Sequence, residues 1–489
     1  IKPIDTIKPR LMKKYVIILC ALVSLQGYGQ DKPYSFSLQQ AISFAIDSSY
    51  ATINSRREIS KVLKRKWEAT AMGLPQIDAN FSYQNNLSQR VSLLPAAAFD
   101  NTTSVINTVE EFFGIQATGT PIAPQGFVPI VFGTKQNLGA SATLTQLIFD
   151  GSYLYALEGV KSLLSFNENL NEKTNLEVRK QVIEAYANVL VADAFIAITK
   201  NNIANVEKNL FEATKVYENG LVEQQAIQQL EITLLDEKTQ LSNAQRSSNI
   251  AKQLLNLTLG ISVDKNVVLT NTLEGLTSDN ISLALLDNTL EIEKNLDYKL
   301  AENLTNQRVI ELKLEQSQGM PSLNGFIDYG STGFGNQFDF FSSDQNWYQS
   351  SAFGITLNVP VLSSGLRNAR NQQAKIALDQ AKTDFDQTIQ RVKLDFQRAK
   401  SNYQYSLERY QNTEKNLVLA RSIEYKNQVK FKEGLATSFD LRQAQSQLFR
   451  VQQQHLNAMV EIINAKAEME TVLNTPNLRM SVEDIKNKY

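Results

Sequence analysis

The sequence predicts a mixed fold, long coiled-coil helical hairpins joined to amphipathic β-strands, and three observations predict it. The first is a duplicated order of motifs. Gly73-Leu-Pro-Gln-Ile77 returns as Gly319-Met-Pro-Ser-Leu323, Asp150-Gly151 as Ser364-Gly365, and Asn219-Gly220-Leu221 as Glu433-Gly434-Leu435. The last two pairs share one offset of 214 residues, from 151 to 365 and from 220 to 434, which argues for duplication of a whole unit. The second is the placement of breakers: the stretches 160–219, 221–259, 366–433 and 435–475 are free of glycine, and only the last is closed by a proline, Pro476. The third is a set of segments of about ten residues that alternate with period two.

Residues 1–29 are set aside first. From Met12 the chain reads Lys13-Lys14, an apolar run from Tyr15 to Leu25, then small residues before Gln30, the order of a secretory signal. The mature chain is expected to start at Gln30, with 1–11 lying upstream of the true start. The sole cysteine, Cys20, falls inside the apolar run, and Leu19 before it fits a lipoprotein cleavage site poorly. A mature chain without cysteine has no disulfide framework or thiol chemistry.

Repeat 1 is placed at 30–262, with strands at about 76–84 and 137–146 and helical arms at 152–219 and 221–259. A linker follows at 263–290. Repeat 2 is placed at 291–475, with strands at about 322–332 and 350–359 and arms at 366–433 and 435–474, leaving a tail at 476–489. The longer arms would reach about 100 Å at 1.5 Å per residue. They carry heptad spacing: Leu378, Ala381, Phe385, Ile389, Val392 and Phe396 step by three or four, as do Leu441, Ala444, Leu448, Val451, His455 and Ala458. The remaining faces are polar, so each arm buries only a narrow stripe and needs neighbours on both sides.

In the strand segments Ile77, Ala79, Phe81 and Tyr83 alternate with Gln76, Asp78, Asn80 and Ser82, and Phe353, Ile355, Leu357 and Val359 alternate with small or polar residues. The segment 322–332 alternates more loosely. After the signal no stretch offers the roughly 20 uninterrupted apolar residues of a membrane helix, so a membrane crossing would have to be made by β-strands. Strands of about ten residues suffice when tilted, and aromatics at Phe338, Phe340, Phe341, Trp347 and Tyr348 suit an interfacial girdle. Four strands cannot close a barrel, because the smallest have about 8, so closure requires several protomers. A soluble sheet with one wet face is the other source of such alternation.

The formal charge of −1 leaves no basic field for nucleic acid. The only histidine, His455, sits on a heptad seam, where it sets register more readily than it binds metal or acts as a base. Without a nucleophile–histidine–acid set, a histidine-carboxylate cluster or a phosphate-binding loop, the chain reads as no enzyme, with no cofactor. Between the pre-strand and post-strand glycines the first copy, 73 to 151, is 32 residues longer than the second, 319 to 365. The extra residues lie within about 85–135, a stretch too irregular for strand and too apolar for disorder, which reads as a packed surface loop ahead of a cover over the mouth of a duct or a contact for another surface component.

The duplicated order of these motifs, with the Ser37-Leu-Gln-Gln-Ala41 helix start and the Leu-Asn256 and Leu-Asn474 ends, resembles the TolC-type outer-membrane efflux proteins. The resemblance implies a homotrimer whose four strands per chain make one 12-stranded transmembrane β-barrel among the outer-membrane lipids. A long periplasmic α-helical barrel continues it in that family. It also implies a passive duct for drugs, ions or other small molecules, with a periplasmic adaptor (membrane fusion protein) and an inner-membrane pump of the RND or ABC class. A polypeptide secretion duct of the same architecture stays open, as does, in another class, a soluble periplasmic coiled-coil scaffold. Carried over by position, the adaptor-docking tips are Gly220 and Leu221 in the first copy and Gly434, Leu435, Thr437, Ser438 and Asp440 in the second. The first tip departs from the second, with Ala226 where the second has Asp440. Entrance acids by position are Glu218, Glu223, Glu424 and Glu433.

Overall fold

The computed structural model describes residues 34–99, 101–114, 116, 125–220, 223–476, 478 and 479. The stretch 1–29, read as a secretory signal, and nearly all of the tail at 476–489 lie outside the described residues. In chain order the elements are β1 (Tyr34–Phe36), α1 (Leu38–Ser48), α2 (Tyr50–Ala71), β2 (Gln76–Asn85), β3 (Val91–Pro95), α3 (Thr102–Phe113), β4 (Phe127–Val131), β5 (Gln136–Asp150) and α4 (Gly151–Glu218). They continue with α5 (Gln224–Leu259), β6 (Val267–Leu269), α6 (Leu273–Asn280), α7 (Leu296–Ser317), β7 (Ser322–Gly335), β8 (Trp347–Asn358), α8 (Leu366–Lys432) and α9 (Ser438–Val472). Two compact units result: a sheet unit of residues 64–161 and 308–377, and a helical unit of residues 1–63, 162–307 and 378–489.

The sheet unit holds an antiparallel sheet of order β2-β5-β7-β8, with β2 and β8 as its open edges. Residues directly opposite one another share a face. Ile77 faces Leu144 and Tyr83 faces Leu138. Leu144 faces Ile327, which faces Phe353. A bulge between Leu147 and Phe149 shifts the parity of β5, so that Phe149 joins Leu323 and Leu357 on this same apolar face. The face is open: Ile77 is 71%, Phe81 79% and Phe353 74% exposed. The opposite face carries Asn80 beside Ser141, and Thr143, whose hydroxyl donates to Asp328 at 2.7 Å. The looser alternation of β7 has a steric cause. Phe326 lies on the polar face because Gly354 is opposite, and a Cβ there would collide with its ring.

Residues 85–135 correct the sequence reading. They contain a two-stranded antiparallel ribbon, β3 with β4, and the helix α3, not a strandless loop. Pro129 within β4 hid the strand signal; in a two-stranded ribbon every residue lies on an edge, where a missing N–H is tolerated. Trp347 and Tyr348, which the expected strand at 350–359 leaves out, are the first residues of β8.

The helical unit is organised by a core to which α1, α4, α5, α6, α8 and α9 all contribute. On the heptad seams Leu378, Val392, Phe396 and Tyr403 of α8 and Leu441, Leu448, Ile462 and Met469 of α9 are buried. One described helix, α4, is long and apolar enough to cross a membrane, with a window of mean hydropathy 1.6. Its Val182, Tyr186 and Val189 are buried in this core instead. Its Asp193 accepts from Ser248 at 2.7 Å and Lys252 at 3.1 Å. Length and composition alone do not distinguish such a core helix from a span.

Two buried tyrosines tie the segments between helices to the core. The Tyr186 hydroxyl donates to the Phe36 carbonyl or Asn271 Oδ1 and accepts from the Asn271 N–H, next to the parallel pair β1-β6. The Tyr403 hydroxyl accepts from the Ser282 N–H at 2.9 Å and lies 3.0 Å from the Asn280 carbonyl, fixing the end of α6. Burial raises the pKa of both phenols, so both hydroxyls keep their protons. Tyr403→Phe strands these backbone groups and is expected to cost about 1–3 kcal/mol by chemical denaturation.

Candidate functional site

The reversals of the helical hairpins are built by opposite solutions to the same problem, orphan backbone groups at helix ends. At the second tip α8 closes in a Schellman pattern: the Leu435 N–H reaches the Lys430 carbonyl at 2.7 Å and the Gly434 N–H the Phe431 carbonyl at 3.1 Å. Gly434 has φ +71, which glycine adopts without a Cβ penalty. Then α9 opens with a reciprocal capping box. Thr437 Oγ1 accepts from the Asp440 N–H at 3.2 Å, and Asp440 Oδ2 accepts from the Thr437 N–H at 2.9 Å.

Gly220 at the first tip has φ +72, and its N–H reaches the Tyr217 carbonyl at 2.8 Å. Leu221 lies outside the described residues. Glu223 is the N-cap of α5 but makes no side-chain cap bond. Ala226, where the second tip has Asp440, is buried. The tips are therefore joined but chemically unequal. Ser438 Oγ donates to Gln229 Oε1 at 3.1 Å, Gln428 donates to Asn209 at 2.9 Å, and Lys432 pairs with Glu212 at 3.0 Å. Leu230 and Leu441 are wholly buried near the two tips, while Leu435 is 77% exposed.

Asp440 is fully exposed, and its pKa is lowered, first by the Thr437 side chain and then by the Thr437 backbone N–H. A depressed carboxyl stabilises fully above its unfolded value and loses that contribution as pH falls through its folded value. The cap of α9 is thus expected to hold at neutral pH and to loosen in acid below the usual aspartate range, near 3.9. Intrinsic-rate-corrected hydrogen exchange of the Asp440 and Leu441 amides reads this. Asp440→Ala should expose them already at neutral pH.

The four acids expected at the entrance differ in their surroundings. Glu218 pairs with Lys215 on its own helix at 2.8 Å, and Glu433 lies exposed beside Gly434. Glu424 is partly buried one helical stretch back along α8, and burial raises its pKa. The buried Gln445 lies beside it, yet neither of its amide atoms makes a hydrogen bond of good geometry. His455 stacks on Tyr410 and bonds Thr413 through Nδ1 at 3.3 Å, and burial lowers its pKa. It is a packed seam residue. Among the described residues no three histidine, cysteine or acidic side chains gather as a metal set. A groove of about 810 Å³ in the helical unit is lined by matched charges such as Lys173–Asp297 at 2.6 Å and Arg409–Glu461 at 2.7 Å. Neutralised cations and carboxylates on packed helices offer no poised nucleophile or base.

Residues 293–475 match the family described as outer membrane efflux protein. Among solved structures, the chain is similar to the outer membrane protein VceC of Vibrio cholerae, at 16% identity and TM-score 0.63, covering 89% of this chain and 95% of that one. It is similar to the channel-forming CusC at 14% and 0.67, covering 89% and 92%. The Campylobacter jejuni CmeC outer membrane channel is similar at 13% and 0.67, covering 92% and 88%. At these identities the structures establish the fold alone. No curated protein matches the chain in sequence. The family match thus covers residues 293–475, less than half of the chain, while the fold shared with the solved structures extends over about nine-tenths of it.

Proposed function

We propose that the chain is a protomer of a trimeric, passive exit duct, in which four strands per chain close a 12-stranded outer-membrane barrel above a periplasmic helical barrel. The observation that carries this reading is the sheet itself. It has an exposed apolar face, a polar opposite face and two unpaired edges, β2 and β8. In water such a sheet would invite aggregation through both its edges and its apolar face. In a bilayer every backbone group must be paired, so the edges must meet those of other copies. Two internal repeats are supported by the matching left-handed glycines Gly220 and Gly434, each ending a helix of nearly seventy residues.

The duct exports small molecules, including drugs, ions or other toxic compounds, driven by an inner-membrane pump of the RND or ABC class through a periplasmic adaptor. The adaptor docks at the second tip, where Gly434, Leu435, Thr437, Ser438 and Asp440 form a rigid reversal presenting an exposed leucine. The first tip, Gly220 and Leu221, docks through different contacts because it lacks the capping aspartate. Of the entrance acids, Glu218, Glu223 and Glu433 line the periplasmic end, and Glu424 lies deeper.

Leu435→Glu tests the docking. It touches no core, so outer-membrane assembly should match wild type, while adaptor affinity falls by about 2 kcal/mol, roughly 30-fold, as for a buried hot spot. Export by the assembled system would fall with it. Normal adaptor affinity in this variant would remove the second tip from the docking surface.

A further inference from the structure

The helix-side rim of the sheet carries a feature that a passive duct does not require. Where α2 runs into β2, the chain reads Lys64-Arg65-Lys66-Trp67, and all four side chains are exposed. None of the three basic residues has an ion pair among the described residues. Trp67 is 64% exposed and Met72 67%. At the same end of the sheet, where β8 passes into α8, Val361 and Leu362 are almost fully exposed. Beside them Arg367 donates to Ser363 Oγ at 3.1 Å and Arg370 is within 3.4 Å of Gln318, neither meeting a carboxylate. The opposite end of the sheet has the reverse sign, with Glu110, Glu111, Asp339 and Asp344 against Arg90 and Lys135.

We propose that this rim is a binding collar for anionic phospholipid headgroups, with Lys64, Arg65 and Lys66 meeting the phosphates and Trp67 lying at the interface. The inference rests on the reading that the apolar sheet face meets lipid. Depth supports it. Lys66 and Trp67 lie within five residues of the end of α2 at Ala71, about 7 Å at helical rise, which is the thickness of one headgroup layer. Chemistry supports it too. Indole with one apolar and one polar edge favours that layer, and clustered Lys and Arg are drawn to anionic lipid. This rim also carries Glu68, Asp150 and Glu315, but Lys64, Arg65, Lys66, Arg367 and Arg370 outnumber them, whereas acids outnumber bases at the far end, a charge polarity that uncharged lipid would not select.

The test uses the full chain with Trp347→Phe, which leaves Trp67 as the only tryptophan. The protein is reconstituted in phosphatidylcholine vesicles containing a minor fraction of brominated phosphatidylglycerol or brominated phosphatidylcholine, and Trp67 quenching is read. Brominated phosphatidylglycerol should quench at a several-fold lower mole fraction. Lys64→Gln, Arg65→Gln and Lys66→Gln together should erase that preference, a loss on the order of 100-fold in affinity at about fivefold per charge. About 1 M salt, with a screening length of about 3 Å, should erase it as well, and inorganic phosphate should not compete. Equal quenching by the two lipids, no quenching by either in protein that floats with the vesicles, or an unchanged preference in the triple variant would overturn the collar alone. Protein that does not float with vesicles would overturn the lipid-facing sheet on which the collar rests.

Discussion

Arginine at Phe81 is expected to destabilise the membrane-inserted protein by about 2–4 kcal/mol, while arginine at the adjacent Asn80 costs about 1 kcal/mol or less. The two residues are neighbours in the middle of β2 and differ only in the face they present. Phe81 belongs to the apolar face with Ile77 and Tyr83, opposite Ala140, and is 79% exposed in the protomer. If that face meets hydrocarbon, a guanidinium there is buried near the bilayer midplane without a partner. Asn80 sits opposite Ser141 on the polar face, and a charge there meets water in the lumen. Unfolding by denaturant from vesicles, compared between the two variants, measures the difference. Equal costs would mean that the sheet does not separate lipid from water.

Gly260→Ala is expected to cost about 2–5 kcal/mol, more than Gly434→Ala, although both glycines have φ above +70. The left-handed backbone alone costs a non-glycine residue about 1–2 kcal/mol, and this applies to both. At Gly434 a Cβ would meet nothing within 4 Å. At Gly260 it would fall on the Ser48 carbonyl and come within 2.9 Å of Ser49 Cα, both backbone and unable to swing aside, adding an overpacking cost of about 1–3 kcal/mol. The close approach is held by Ser48 Oγ, which lies 2.6 Å from the Leu259 and the Phe44 carbonyls and donates to one or the other, and by the buried Leu259 side chain. Thermal melting of the two variants separates the terms. Similar losses would show that α1 can retreat from the end of α5.

The long helices were legible because nothing in 366–432 interrupts them, and the heptad steps named many of the buried side chains, although Phe385, Ile389, Val451 and His455 on those seams are only half-buried and Met459 and Ile463, off them, are buried. The period-two segments exposed the strands for the same reason, since strand geometry forces alternation wherever one face is apolar. What stayed hidden has local causes. The helices α2 and α7, each 22 residues long, lie between repeat landmarks and have negative mean hydropathy, so neither stood out as a core element. The three-residue strands β1 and β6 pair in parallel across more than two hundred residues, a long-range event with no signature at that length. The bulge on β5 hides the membership of Phe149 in the apolar face, because parity changes within the strand. At the tips, Gly434, Thr437 and Asp440 were legible as a reversal and cap, since their spacing is that of a capping box. The link from Ser438 to Gln229 was not, as it joins helices 209 residues apart. Nor did the sequence indicate that Glu424 is partly buried while Glu433 is not, because that depends on the packing of α8 against its neighbours.

Electron microscopy of the detergent-extracted protein tests the central claim most directly. A duct built from this chain should give three-fold particles, each with a 12-stranded barrel whose seams pair β8 of one protomer with β2 of the next, and a helical section on the order of 100 Å long. Monomeric particles that stay soluble without detergent, their sheet edges unpaired, would contradict it.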